Sequence, residues 1–158
     1  MTKQRGSDTP PVRVQALVVR ELTVLLVRHT LRHWEHWCLP GGASGDDEPA
    51  DEAVLRILKK ECGVDGLVLR LTSNLIEASG TEAFTYLVDI GDQEPRLQSL
   101  SKHSDKVPKA VELKWLRLDE IPERDRAFLW QAGLMTVPGF LDQVENWGDD
   151  ISCPSCIG

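Results

Sequence analysis

No stretch of the 158-residue sequence approaches the roughly 20 consecutive apolar residues that a membrane-spanning helix needs. The opening MTKQRGSDTPP starts with basic residues but leads into no hydrophobic run, so neither a secretory signal nor a membrane anchor is expected there. Cysteine is scarce too. Cys38, Cys62, Cys153 and Cys156 are too few and too scattered for a disulfide framework, which favours a reducing, cytoplasmic setting. Positive charge is in deficit: at a net charge of -7 the chain lacks the Lys and Arg surplus on which affinity for duplex nucleic acid depends, although a local site for a small charged substrate remains compatible with it. There is no internal repeat and no low-complexity segment. What is present is 41% hydrophobic and 27% charged residues, at a length where a single domain buries its own core.

Residues 1–11, polar and closed by Pro10-Pro11, offer little to bury and are expected to form a flexible leader. The domain is expected over residues 12–146, with 147–158 a disordered tail. Val12, Val14, Ala16 and Val18 alternate with Arg13, Gln15 and Leu17, and Leu22 to Val27 follows a charged Arg20-Glu21 break, which predicts two adjacent strands. From His29 to Trp37 the pattern dissolves into His, Arg and Trp and predicts a loop, and Pro40-Gly41-Gly42 should stop any regular element. A helix fits Pro49 to Cys62: Pro49 suits a first turn, Asp51 and Glu52 the positive helix N-terminus, Lys59 and Lys60 the C-terminus, and Gly63 a cap. Strands are expected at Gly66 to Ala78, Ala83 to Ile90 and Val111 to Leu118, and helices at Asp125 to Met135 and Gly139 to Val144. This is not a regular βα alternation and predicts a mixed sheet covered by helices.

The chemistry concentrates between Gly42 and Val64. Glu48, Arg56, Ile57, Lys60, Glu61, Gly63 and Val64 fall at the anchor spacings of Gly-x5-Glu-x7-Arg-Glu-apolar-x-Glu-Glu-x-Gly-apolar. The segment resembles the Nudix box, with Trp37 and Leu39-Pro40-Gly41-Gly42 resembling the lead-in and Glu112-x-x-Trp115 with Leu118-Asp119-Glu120-Ile121 the exit strand and turn. The resemblance spans most of Val12 to Pro122. It implies an α/β fold of Nudix type, a mixed β-sheet sandwiched between α-helices. It also implies hydrolysis of a nucleoside diphosphate linked to another moiety, assisted by Mg2+ or Mn2+, in a protein that is a homodimer.

In such a platform glycines let backbone approach a phosphate, while the helix projects carboxylates that hold a hard cation and activate water. The resemblance implies Glu61 as the remaining metal ligand among the catalytic carboxylates, Arg56 as a support pairing with carboxylates, Glu48 as the residue ordering loop and helix, and Gly41 and Gly42 as the phosphate-facing backbone. Glu112 is the candidate for a distant ligand or base. Two departures weaken this reading: Ile57 and Lys60 stand where the pattern has glutamates, so two negative charges are lost and one positive charge is gained. At an effective dielectric of about 20, a unit charge ~4 Å from another is worth ~4 kcal/mol, so metal affinity should fall by orders of magnitude.

Three outcomes follow from that loss. Asp46, Asp47, Glu48, Glu52, Glu82 or Glu112 rebuild a metal site with Glu61; or the Lys60 ammonium replaces the cation and holds a phosphate in a binding module without turnover; or the box survives as structure alone. The bland alternatives are concrete. Ile57 completes an apolar stripe with Ala50, Val54 and Leu58 and simply joins the core, and Lys60 is a solvated helix charge. Trp34 and Trp37 are placed to stack on a nucleobase or to anchor the loop. His29, His33 and His36 have zinc-like spacing but no companion ligand motif, and Cys153-Pro154-Ser155-Cys156 is a lone CxxC.

Overall fold

The computed structural model describes residues 12–98 and 109–146. The leader, the tail and its CxxC therefore lie outside the described residues. The chain forms β1 (Val12–Leu17), β2 (Val19–Arg20), β3 (Thr23–Leu31), β4 (Trp34–Cys38), β5 (Gly41–Ala43), α1 (Ala50–Cys62), β6 (Leu67–Ile76), β7 (Glu82–Asp89), β8 (Lys109–Arg117), α2 (Glu123–Gln131) and α3 (Phe140–Asn146), with short 3-10 turns at Leu118–Glu120 and Leu134–Thr136.

The expected α/β architecture is present, with its strands divided between two sheets. One is mixed, in the order β5-β1-β7-β6, with β1 parallel to β7 and antiparallel to β5. In the other, antiparallel β3 carries β8 along one edge and β2 and β4 along the other. The two N-terminal strands expected as neighbours thus belong to different sheets, and β3 pairs instead with the tiny β2 across Glu21-Leu22, both in the left-handed region. Leu17, grouped with the polar positions in the alternating pattern, is fully buried because both faces of β1 are covered. Val14 and Ala16 join one core with Leu25 and the α1 residues Ala53, Val54, Ile57 and Leu58. Leu17 joins the other with Val24, Leu26, Leu129, Leu134 and Phe140. Helices therefore cover two apolar layers, which accounts for the alternation of Val24, Leu25 and Leu26 between them.

Helix α1 follows its sequence signals closely. Pro49 stands at its N-cap, Asp51 and Glu52 occupy the first turn, Lys59 and Lys60 the last, and Gly63 caps it at φ 72 by donating its N–H to the Lys59 carbonyl. The loop expected from His29 to Trp37 is instead a β-hairpin: Leu31 pairs with Trp34 across a two-residue turn at Arg32-His33, with Arg32 at φ 58. The turn lacks the Asn-Gly signature, so the paired Thr30/Glu35 and His29/His36 rungs were masked by polar composition. Gly41-Gly42 likewise does not end regular structure. It is strand β5, paired with Val14 and Gln15 of β1.

Candidate functional site

The site is built where β5 meets the C-terminal turn of α1. Glu61 points from that turn toward the strand, and its Oε1 accepts the Gly41 N–H at 3.2 Å. The approach is tight: a Cβ on Gly41 would lie 2.4 Å from the Val14 carbonyl oxygen, so glycine is required for β5 to lie against β1. Burial drives the Glu61 carboxyl up to about 7, with the Gly41 N–H and the Lys60 charge pulling in the opposite direction. A carboxyl group in this setting is poised to exchange a proton near neutrality.

The loop between β5 and α1 is held by the other two box residues. Arg56 donates from Nε to Glu48 Oε2 at 2.8 Å and from Nη2 to both Glu48 Oε1 and the Ala43 carbonyl, each at 3.1 Å. Glu48 Oε1 also accepts the Gly45 N–H at 2.8 Å. The Arg56 bonds, and then the Gly45 N–H, hold the Glu48 carboxyl below its usual range. Arg56 and Glu48 are thus occupied with fastening the loop to the helix.

Ile57 belongs to the core. It is 6% exposed, and its Cδ1 would lie 3.3 Å from a Cβ placed on Gly42, so an apolar side chain fills the space directly beneath the glycine strand. Lys60 is exposed on the helix, and Lys59 rather than Lys60 forms an ion pair, with Asp65 at 3.3 Å. Glu112 sits on β8 opposite Arg28 of β3 and accepts the Arg28 Nε at 2.9 Å. Among the other carboxylates considered, Glu82 accepts from Asn74 at 3.1 Å, while Asp46, Asp47 and Glu52 are exposed. Among the described residues no group of three His, Cys, Asp or Glu side chains is placed to hold a metal ion. The donors therefore do not fit a divalent cation: a lone, protonatable Glu61 with isoleucine below it offers too few hard oxygens for Mg2+ or Mn2+.

Beyond Gly41 opens a cleft of ≈ 470 Å³, walled by Trp34, His36 and Trp37 of β4, Phe128 of α2, and His29 and Arg13 of β3 and β1. A larger depression of ≈ 630 Å³ at the hairpin tip shares Trp34 and His36 but does not reach the glycine strand. The cleft contains a buried acid that the box does not account for. Asp125, 1% exposed, accepts His36 Nδ1 at 2.7 Å on Oδ1 and the Trp37 N–H at 3.1 Å on Oδ2. In the sequence Asp125 is simply an acidic residue at the start of a helix. Only the β-strand identity of His36 and Trp37 could have hinted at it, because a strand at a sheet edge presents backbone N–H groups, here that of Trp37, to whatever packs beside it.

No functionally curated protein matches the sequence significantly. Solved structures do. A MutT NUDIX hydrolase from Burkholderia pseudomallei is 26% identical over 78% of this chain and 98% of its own, with a TM-score of 0.61. An ADP-ribose pyrophosphatase from Streptococcus suis is 23% identical over 72% and 78%, with a TM-score of 0.58, and a UDP-X diphosphatase 20% identical over 82% and 65%, with a TM-score of 0.59. The last two establish a shared fold. The NUDIX domain profile matches residues 9–136, most of the chain, and with the retained box geometry this identifies the protein as a member of the Nudix hydrolase family.

Proposed function

We propose that this protein binds a nucleotide-type ligand, a nucleoside diphosphate linked to another moiety, in the cleft beside Gly41, and that its metal-assisted hydrolysis of the diphosphate is strongly weakened. The observation that carries the reading is Ile57. A buried aliphatic chain occupies the helix position from which the box motif projects a carboxylate, while the loop-fastening pair Arg56 and Glu48 is kept intact. Binding geometry and cation chemistry have thus come apart. Support for a nucleotide-type ligand comes from the aromatic walls of the cleft and from two proteins of the same fold, an ADP-ribose pyrophosphatase and a UDP-X diphosphatase.

On this reading the chain's own residues do three things. The Gly41-Gly42 backbone accommodates the close approach of a phosphate group. Lys60, exposed beside Glu61, supplies a positive charge to that phosphate in place of a cation. Glu61 holds a proton near neutrality on the side of the strand facing α1. The protein is expected to act as a soluble nucleotide-handling domain in the cytoplasm, and a homodimeric state is part of the same reading.

The test combines two measurements. ADP-ribose and UDP-glucose are offered with EDTA, Mg2+ or Mn2+, following binding by thermal shift and turnover by phosphate release after phosphatase coupling. Metal-independent binding with weak turnover is expected, and turnover should rise in the Ile57→Glu/Lys60→Glu double variant. Native turnover equal to that of the double variant overturns the reading.

A further inference from the structure

The cleft carries a polar device that the box does not use. Asp125 is buried at the first turn of α2, and its carboxylate spans two partners on β4, the His36 ring and the Trp37 N–H. The bond to Nδ1 fixes the imidazole plane and, in the neutral ring, places the hydrogen on Nδ1 and leaves Nε2 as an acceptor. Nε2 has no hydrogen-bond partner among the described residues and is not one of their buried unpartnered atoms, so it keeps accessible surface on a ring that lines the cleft. The ring is also held edge-on between Trp34, with centroids 4.1 Å apart, and Phe128, at 6.0 Å. Trp34 and Phe128 are themselves exposed, so part of the aromatic surface beside the imidazole is left uncovered by the described residues. A second imidazole, His29, lines the same cleft, and its buried Nδ1 finds no partner among the described residues.

A rigidly oriented hydrogen-bonding atom between uncovered aromatic surfaces suits a flat ligand with polar edges. A bare phosphate chain would leave the aromatic walls unused, and an aliphatic group would leave Nε2 unpaired. The volume of ≈ 470 Å³ is of the size that small-molecule sites have, about 300–1,000 Å³. We propose that the cleft takes the heteroaromatic base of the nucleotide, that His36 Nε2 reads an N–H on the base edge, and that Asp125 is the positioning residue that aims His36. This deepens the nucleotide reading above and rests on it.

The test uses the full chain in EDTA, so that metal plays no part, and follows quenching of tryptophan fluorescence by ADP, GDP, CDP, UDP, ribose 5-phosphate and pyrophosphate. The native protein should bind at least one nucleoside diphosphate ten-fold or more tightly than pyrophosphate and rank the four bases over about ten-fold, the span that one hydrogen bond to a substrate group supplies. His36→Ala should flatten that ranking to within about two-fold while quenching persists, and His36→Gln, which restores a polar edge, should recover part of it. Asp125→Asn should flatten the ranking as His36→Ala does. If that variant does not fold, the two His36 variants decide alone, because both leave the buried carboxylate and its bond to Trp37 in place. A base ranking unchanged in His36→Ala, or pyrophosphate binding as tightly as ADP, overturns the proposal and leaves the nucleotide reading standing. If no diphosphate compound binds, the nucleotide reading falls and this proposal with it.

Discussion

Replacing Glu61 with glutamine should stabilise the protein above neutral pH. The folded environment raises the Glu61 carboxyl from 4.5 to about 7, chiefly because the group is desolvated beside β5. Each unit is worth ~1.4 kcal/mol, so the ionised carboxylate weakens the folded state by ~3 kcal/mol relative to the protonated one, reduced to ~2 kcal/mol by the hydration that its partly exposed surface retains. The sign follows from linkage. A folded-state value raised above the unfolded one favours the protonated native protein, so the contribution is fully present below 4.5 and drains away as pH rises to about 7. Glutamine has no such titration and still accepts the Gly41 N–H. Urea unfolding of both proteins between pH 4.5 and pH 8 should show near-equal stability at the acidic end and an advantage of ~2 kcal/mol for Glu61→Gln at the alkaline end, or ~4–8 °C in Tm. His29, whose imidazole is pushed down first by burial and then by Arg13 and His36, is common to both proteins and cancels in the difference. Parallel stability curves across that pH range would refute the reasoning.

Other perturbations follow from the same geometry. Gly41→Ala drives a Cβ to 2.4 Å from the Val14 carbonyl, so β5 must move away from β1; a loss of ~1–3 kcal/mol in chemical denaturation is expected, with weaker nucleotide binding by calorimetry. Asp125→Ala leaves the Trp37 N–H without its buried acceptor and the His36 ring without its anchor, and should cost ~2–4 kcal/mol, read as a Tm lower by ~4–15 °C. A loss under ~0.5 kcal/mol in either variant contradicts the contacts assigned to it.

Helix α1 was legible because every local signal agreed: Pro49 before it, acids in its first turn, lysines in its last and Gly63 behind it. The role of Ile57 was legible too, since its spacing from Ala50, Val54 and Leu58 already placed it on the buried stripe. The β3–β4 hairpin was hidden because His29, Arg32, His33 and Glu35 carry no strand pattern, and what makes them a hairpin is pairing on both edges of β3, which is tertiary. Gly41-Gly42 misled for a related reason: glycine usually breaks strands, and here its missing Cβ is what lets β5 pair with β1. That Glu112 pairs with Arg28 was not legible, because the register that sets the two opposite each other is tertiary. Asp125 was invisible because its partners lie 88 and 89 positions away, on a strand that composition had disguised as a loop.

The central claim is that the donors left around Glu61 do not grip a divalent cation, and titration of Mn2+ followed by the electron paramagnetic resonance of the free ion tests it most directly. The native protein should leave Mn2+ free at sub-millimolar concentrations, whereas Ile57→Glu/Lys60→Glu, which restores three units of charge, should bind it at least ~100-fold more tightly, a difference of ~2.7 kcal/mol. Micromolar binding of Mn2+ by the native protein, abolished by Glu61→Gln, would contradict the account.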